Sequence, residues 1–206
     1  MVGLLDDETS GCPLTFPEAS LDVVLLGETR DELGGSEWQQ MFGDDALVAP
    51  PHVDLDREKS LIECLLALHA HRAVKSAHDL ANGGLAIALA ECAGDGIGCH
   101  VDLLGHADDV DAIALLFGES QGRAVVSTHR VDDVLRIARE HGVPAQRIGN
   151  TVAGAFLIER NGVPLIRTSA EELRRIARSS LALLLGGDSI EDVIRGVGEE
   201  IDLVSH

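Results

Sequence analysis

Residues 21–27 read LDVVLLG, a short apolar run, rich in β-branched side chains, that stops at a glycine. Such a run, too short for a helix and apolar at every position after Asp22, predicts a strand buried on both faces. A strand of that kind needs cover on each side, so the question is what supplies it. Downstream, apolar positions Leu61, Ile62, Leu65, Leu66 and Leu68 recur at helical spacing from Asp56 to about His71, with Asp56 placed to cap the helix. A short strand is expected at 75–78. A second helix follows on the segment GGLAIALAECAG, capped by Asn82 and made of residues small enough to pack closely on a sheet.

The alternation continues outward. A strand is expected at 97–103, a short helix at 108–116, a polar turn at 117–123 and a strand at 124–128. Between Val131 and His141 an apolar face of Val134, Leu135 and Ala138 has Asp132 and Asp133 in its first turn and Arg139 in its last. That order complements the helix dipole, and Gly142 and Pro144 end it. Residues 146–165 read as short strands broken at Gly154 and at Asn161-Gly162, a two-residue hairpin signal. Ser169 with Glu172 fits a capping box for a helix to about Leu185, and 188–204 is weakly helical. Interleaved helices and strands without a strict repeat predict a layered α+β or α/β domain.

With 206 residues and 45% hydrophobic content, one domain with one substantial core is expected. Aromatic residues are 2% of the chain, so the core rests on Leu, Val, Ile and Ala, and platforms for stacking bases are scarce. A formal charge of -19 repels polyanions, which argues against nucleic acid as a partner. No apolar run reaches the length of a membrane span. Cys12, Cys64, Cys92 and Cys99 form no CxxC pair and no charged leader opens the chain, so reduced thiols and a cytoplasmic setting are expected. His69 and His71, an HxH on a helix, point about 200° apart and suit the surface better than a shared metal.

Three polar, glycine-bearing loops adjoin predicted strands: 28–37, 77–84 and 117–123. In AHDLANGG, Asp79 precedes a glycine-rich helix start, where free N–H groups attract phosphate and a carboxylate can hold Mg²⁺. Asp79 and Asn82 fit plain helix caps equally, and spacing alone favours capping. GESQG offers a carboxylate, a hydroxyl and an amide at Glu119, Ser120 and Gln121, with Arg123 suited to phosphate; it also fits an ordinary turn. Gly34, Gly35 and Ser36 could form an anion nest, as could Gly83 and Gly84 at the helix start, although acids flank the first. No catalytic residue is assigned.

Taken together, VVLLGETRDELGGSEW at 23–38, KSAHDLANGGLAIALAECA at 75–93 and LLFGESQGRAVVS at 115–127 resemble the last domain of the phosphoribosylformylglycinamidine synthase family in content, order and spacing. MVGLLDD at the start resembles the segment entering that domain, and HGVPAQRIGNTVAG at 141–154 its later strands. The resemblance implies a lead-in segment at 1–20 and an aminoimidazole ribonucleotide synthetase C-terminal-like domain at 21–206, the second of two copies. The implied fold is α+β, three layers α/β/α on a mixed sheet with partial ferredoxin likeness. The implied activity is that of an ATP-dependent carbon–nitrogen ligase of purine biosynthesis, turning formylglycinamide ribonucleotide into its amidine; Mg²⁺ and ATP or ADP are implied for the whole enzyme, and a domain alone is expected to be inactive. Implied partners are the other domains, a glutaminase and small accessory subunits, with self-association expected of an isolated domain. By the first copy's pattern, Asp79 would bind Mg²⁺ and Glu119, Ser120 and Gln121 substrate. Pro51 stands where the first copy has a substrate-binding Gln, a departure that weakens substrate binding here. A scaffold without ligand, and a kinase or synthetase relative sharing the two-domain plan, are the competing readings; GETRDELGGSEW argues against the last.

Overall fold

A computed structural model describes residues 11–43 and 48–184. Thirteen elements follow in the order β1 (Asp22–Leu26), α1 (Glu37–Phe42), α2 (Leu55–Ala70), β2 (Ser76–Asp79), α3 (Gly84–Cys92), β3 (Ile97–Asp102), α4 (Ala112–Phe117), β4 (Ala124–Thr128), α5 (Val131–Glu140), β5 (Ala145–Ala153), β6 (Ala155–Arg160), β7 (Val163–Ser169) and α6 (Ala170–Leu184). The strands form one seven-stranded sheet in the order β2-β4-β1-β5-β3-β6-β7. Only β3 and β6 run parallel; every other described pair is antiparallel, so the sheet is mixed.

The pleat divides β1 between two cores. Val23 and Leu25 join Leu85, Leu89, Leu115 and Phe156 on the side covered by α3 and α4. Val24 and Leu26 join Leu61, Cys64, Leu68, Val134 and Ile137 on the side covered by α2 and α5. The strand is apolar throughout because both faces are roofed, which makes the domain a three-layer α/β/α sandwich. The described part of the lead-in segment is packed onto this domain: Phe16 is buried, and the carbonyl of Pro13 accepts from Ala77 N–H at 3.0 Å.

Two expected caps move. α2 starts two residues earlier than expected, because Asp54 rather than Asp56 accepts from the N–H groups of Asp56 and Arg57 at 3.1 and 3.2 Å. α3 has no side-chain cap of its own: its N-cap is the left-handed Gly83, and Asn82 turns away to donate to Glu37 at 3.3 Å. By contrast, Ser169 accepts from Glu172 N–H at 3.1 Å as expected, and Asn161 and Gly162, both at positive φ, form the β6–β7 turn. The expected helical tail at 188–204 and the end of α6 at Leu185 lie outside the described residues. All four cysteines are free, and no helix among the described residues is long and apolar enough to cross a membrane.

Candidate functional site

Register fixes which loops meet. Leu26 and Asp79, at the ends of β1 and β2, both face Ala124 at the start of β4, and Leu26 also faces Ala145 at the start of β5. The loops at 27–36, 80–83 and 118–123 therefore lie at one end of the sheet, so the three polar segments singled out in the sequence are neighbours. Two glycines allow the backbones to touch. A Cβ on Gly27, at φ +93, would sit 2.2 Å from the carbonyl oxygen of Gly122; one on Gly84, at φ +66, would sit 2.5 Å from that of Gly118. Both positions need a residue without a side chain.

Glu119 stitches the three loops. Its Oε1 accepts from Gly83 N–H at 2.8 Å, at the start of α3, and from Glu37 N–H at 2.9 Å, at the start of α1. Its own N–H donates to the carbonyl of Glu32 at 3.2 Å. A carboxylate on backbone donors at a helix N-terminus is the arrangement a phosphate would otherwise take. Here the chain's own side chain takes it.

The neighbouring groups are equally committed. Ser120 is buried, its Oγ accepting from Arg30 N–H at 3.1 Å. Gln121 is exposed and donates through Nε2 to the carbonyl of Glu119 at 3.0 Å. Gly35 N–H donates to Gln39 Oε1 at 2.7 Å, Ser36 N–H to the carbonyl of Leu33 at 3.1 Å, and Gly84 N–H to that of Ala81 at 3.2 Å. Gly34 is buried against the carbonyl of Ala49. The geometry therefore brings Gly34, Gly35, Ser36, Gly83, Gly84 and Glu119 to one place, with the N–H groups of Gly35, Ser36, Gly83 and Gly84 already satisfied from within.

Arg123, suited by sequence to an incoming phosphate, is 2% exposed and faces inward. It donates from Nη2 to the carbonyl of Gly118 at 2.6 Å, from Nε to that of Ser120 at 2.8 Å, and from Nη1 to Thr29 Oγ1 at 3.2 Å. It pins the turn that carries Glu119. Burial pulls its pKa down to about 10, against the opposing pull of Glu32 and Glu119.

Asp79 takes part in none of these hydrogen bonds. Its carboxylate is 77% exposed, 3.7 Å from His78 Nδ1. A hard divalent cation takes about six oxygen ligands, and no group of three or more His, Cys, Asp or Glu able to hold a metal exists among the described residues. Asp79 by itself does not fit a resident metal centre; it can add one carboxylate to a cation that arrives with a phosphate.

A feature with no sequence signal runs from Arg123 to an open cleft of about 620 Å³ between residues 27–31, 106–110 and 144–146. Thr29 Oγ1, which accepts from Arg123, lies 2.9 Å from His106 Nε2; His106 Nδ1 lies 2.9 Å from Gln146 Oε1; Gln146 Nε2 donates to the carbonyl of Leu104 at 3.2 Å. That last bond fixes the amide, so Nδ1 carries a proton and donates to Gln146 Oε1. Burial lowers the His106 pKa, which favours the neutral ring with Nε2 accepting from the Thr29 hydroxyl. Burial pushes the thiols of Cys64 and Cys92 up to about 11 and about 12, away from the thiolate.

Residues 22–159 match the model of the family "AIR synthase related protein, C-terminal domain". The phosphoribosylformylglycinamidine synthase subunit PurL of Thermobifida fusca is 40% identical over 190 residues, which cover 90% of this chain and 24% of that protein. The chain thus spans about a quarter of the length of the curated relatives it matches. Among solved structures, Thermotoga maritima PurL complexed with FGAR matches with a TM-score of 0.72 at 22% identity, over 81% of this chain and 30% of that one. The same protein complexed with ATP matches with a TM-score of 0.64 at 21% identity, over 81% and 27%. At these identities the two structures speak to the fold, which is the one described above.

Proposed function

The chain belongs to the family of AIR synthase related proteins, as their C-terminal domain, and from that premise we propose that it is the last such domain of a phosphoribosylformylglycinamidine synthase, a second copy whose ligand loops are closed by its own residues. The observation that carries this is the Glu119 carboxylate on the N–H groups of Gly83 and Glu37. A phosphate aimed at those donors would meet a fixed negative charge within a few ångströms, and the chain's charge of -19 adds to the repulsion. Pro51 in place of a substrate-binding amide, and the inward-facing Ser120 and Arg123, support the same reading. The domain then completes the two-copy architecture rather than holding formylglycinamide ribonucleotide, and ATP-driven amidine formation belongs to the longer enzyme, with its other domains, a glutaminase and small accessory subunits, in the cytoplasm.

Exposed Asp79 and Gln121 remain the groups able to meet a nucleotide phosphate with its Mg²⁺ at the rim of the closed cluster. Alone, the 206-residue chain is expected to turn over no ATP. Calorimetry tests the closed-site reading: the wild-type chain should bind neither formylglycinamide ribonucleotide nor inorganic phosphate tightly, while Glu119→Ala should gain about tenfold in affinity for phosphate by freeing two donors. Tight substrate binding by the wild-type chain, lost in Glu119→Ala, would overturn it.

A further inference from the structure

Most of the exposed large apolar side chains among the described residues fall between residues 41 and 66. Within that stretch α2 is unusual in having two apolar stripes. Leu61, Cys64 and Leu68 are buried against the sheet. Leu55, Ile62 and Leu66 are 76%, 56% and 64% exposed. At about 100° per residue these three lie within some 40° of one another and roughly opposite the buried stripe. A helix that only roofs a sheet carries polar residues there. The three are spaced by seven and four residues, so they make one continuous ridge rather than scattered surface apolars.

We propose that this outer ridge of α2 is a docking surface for a helix of another domain of the synthase, one that presents an apolar ridge flanked by lysine or arginine. The inference rests on the reading of the chain as one domain of a longer enzyme. Charge selects the occupant. Flanking the ridge, Lys59 is engaged by Glu63 at 3.8 Å, which leaves Asp56 and Glu58 in the first turn as the excess charge. A second copy, itself at -19, would bring like charge to like. A basic-flanked helix gains from both the ridge and the rim. Chains of relatives are about four times the length of this one, so they hold further chain that could supply the occupant.

The test uses Thermobifida fusca PurL lacking the quarter that matches this chain, verified as folded by a cooperative melting transition, mixed with the 206-residue chain. The wild-type chain should bind it, with affinity falling as salt rises. Leu55→Gln, Ile62→Gln and Leu66→Gln together should weaken binding about a hundredfold. The exposed positions leave the core intact, and an unchanged melting temperature of the variant verifies this. Asp56→Lys with Glu58→Lys should weaken binding about tenfold. Equal binding by the triple variant would sink the docking surface while leaving the proposed function standing. No binding by the wild-type chain would sink both. A ridge-dependent homodimer that excludes the truncated subunit would also overturn the proposal.

Discussion

α2 and α3 lie on opposite faces of the sheet, and their N-termini are satisfied in opposite ways. Asp54 caps α2 from one residue outside it, a local arrangement that forms with the helix itself. α3 starts at Gly83 with no cap from its own neighbourhood and takes its carboxylate from Glu119, 36 residues on. The first cap costs the fold little to arrange. The second exists only once the sheet has brought three loops together, and it consumes the place where a ligand anion would sit.

If that contrast is right, breaking the distant cap should start with what holds its turn. Arg123→Met leaves the buried carbonyls of Gly118 and Ser120 without their donor, and should cost about 3 kcal/mol in a urea unfolding experiment. Loss below about 1 kcal/mol would mean that the turn stands without it. Next comes the cap itself: Glu119→Ala should cost about 2 kcal/mol by orphaning Gly83 and Glu37 N–H, and Asp54→Ala, at a site water can reach, should shift the melting temperature less. The reverse ranking would dissolve the contrast. The smallest effect concerns pH. His106 has its pKa lowered below 6.5 in the folded chain, so the unfolded chain binds more protons; its contribution is fully present above about pH 6.5 and is lost as pH falls through that value toward the folded one. Stability should therefore drop more between pH 7.5 and 5.5 in the wild-type chain than in His106→Asn, and parallel profiles would contradict the neutral, doubly bonded ring.

The elements legible in the sequence are those whose signals are local. β1 announced itself by composition, α5 by the charge order from Asp132 to Arg139, and the β6–β7 hairpin by Asn161-Gly162. α1, six residues after a polar loop, carried no periodicity and was not foreseen. The candidate site was legible as a set of segments, because the family-like stretches named the loops that the sheet does bring together. What each side chain does there was not, since Asn82 looked like the cap of α3 and Arg123 like a phosphate ligand until Glu119 and the carbonyl of Gly118 competed for their places. The Thr29, His106 and Gln146 chain joins three separate loops and has no spacing to detect. An isolated histidine in a loop is no signal by itself.

The strand order has one more consequence, for how the chain reaches this state. Among the described strands only β6 and β7 are both consecutive and paired. β1, in the middle of the sheet, pairs at Asp22 with Thr128 on one side and Asn150 on the other. Its apolar edges therefore wait for more than a hundred residues of chain to be made before either partner exists. High contact order of this kind slows folding, and during synthesis it leaves DVVLL as an unpaired, aggregation-prone segment. A ribosome-bound chain stopped before β5 should then depend on chaperones far more than one stopped after it.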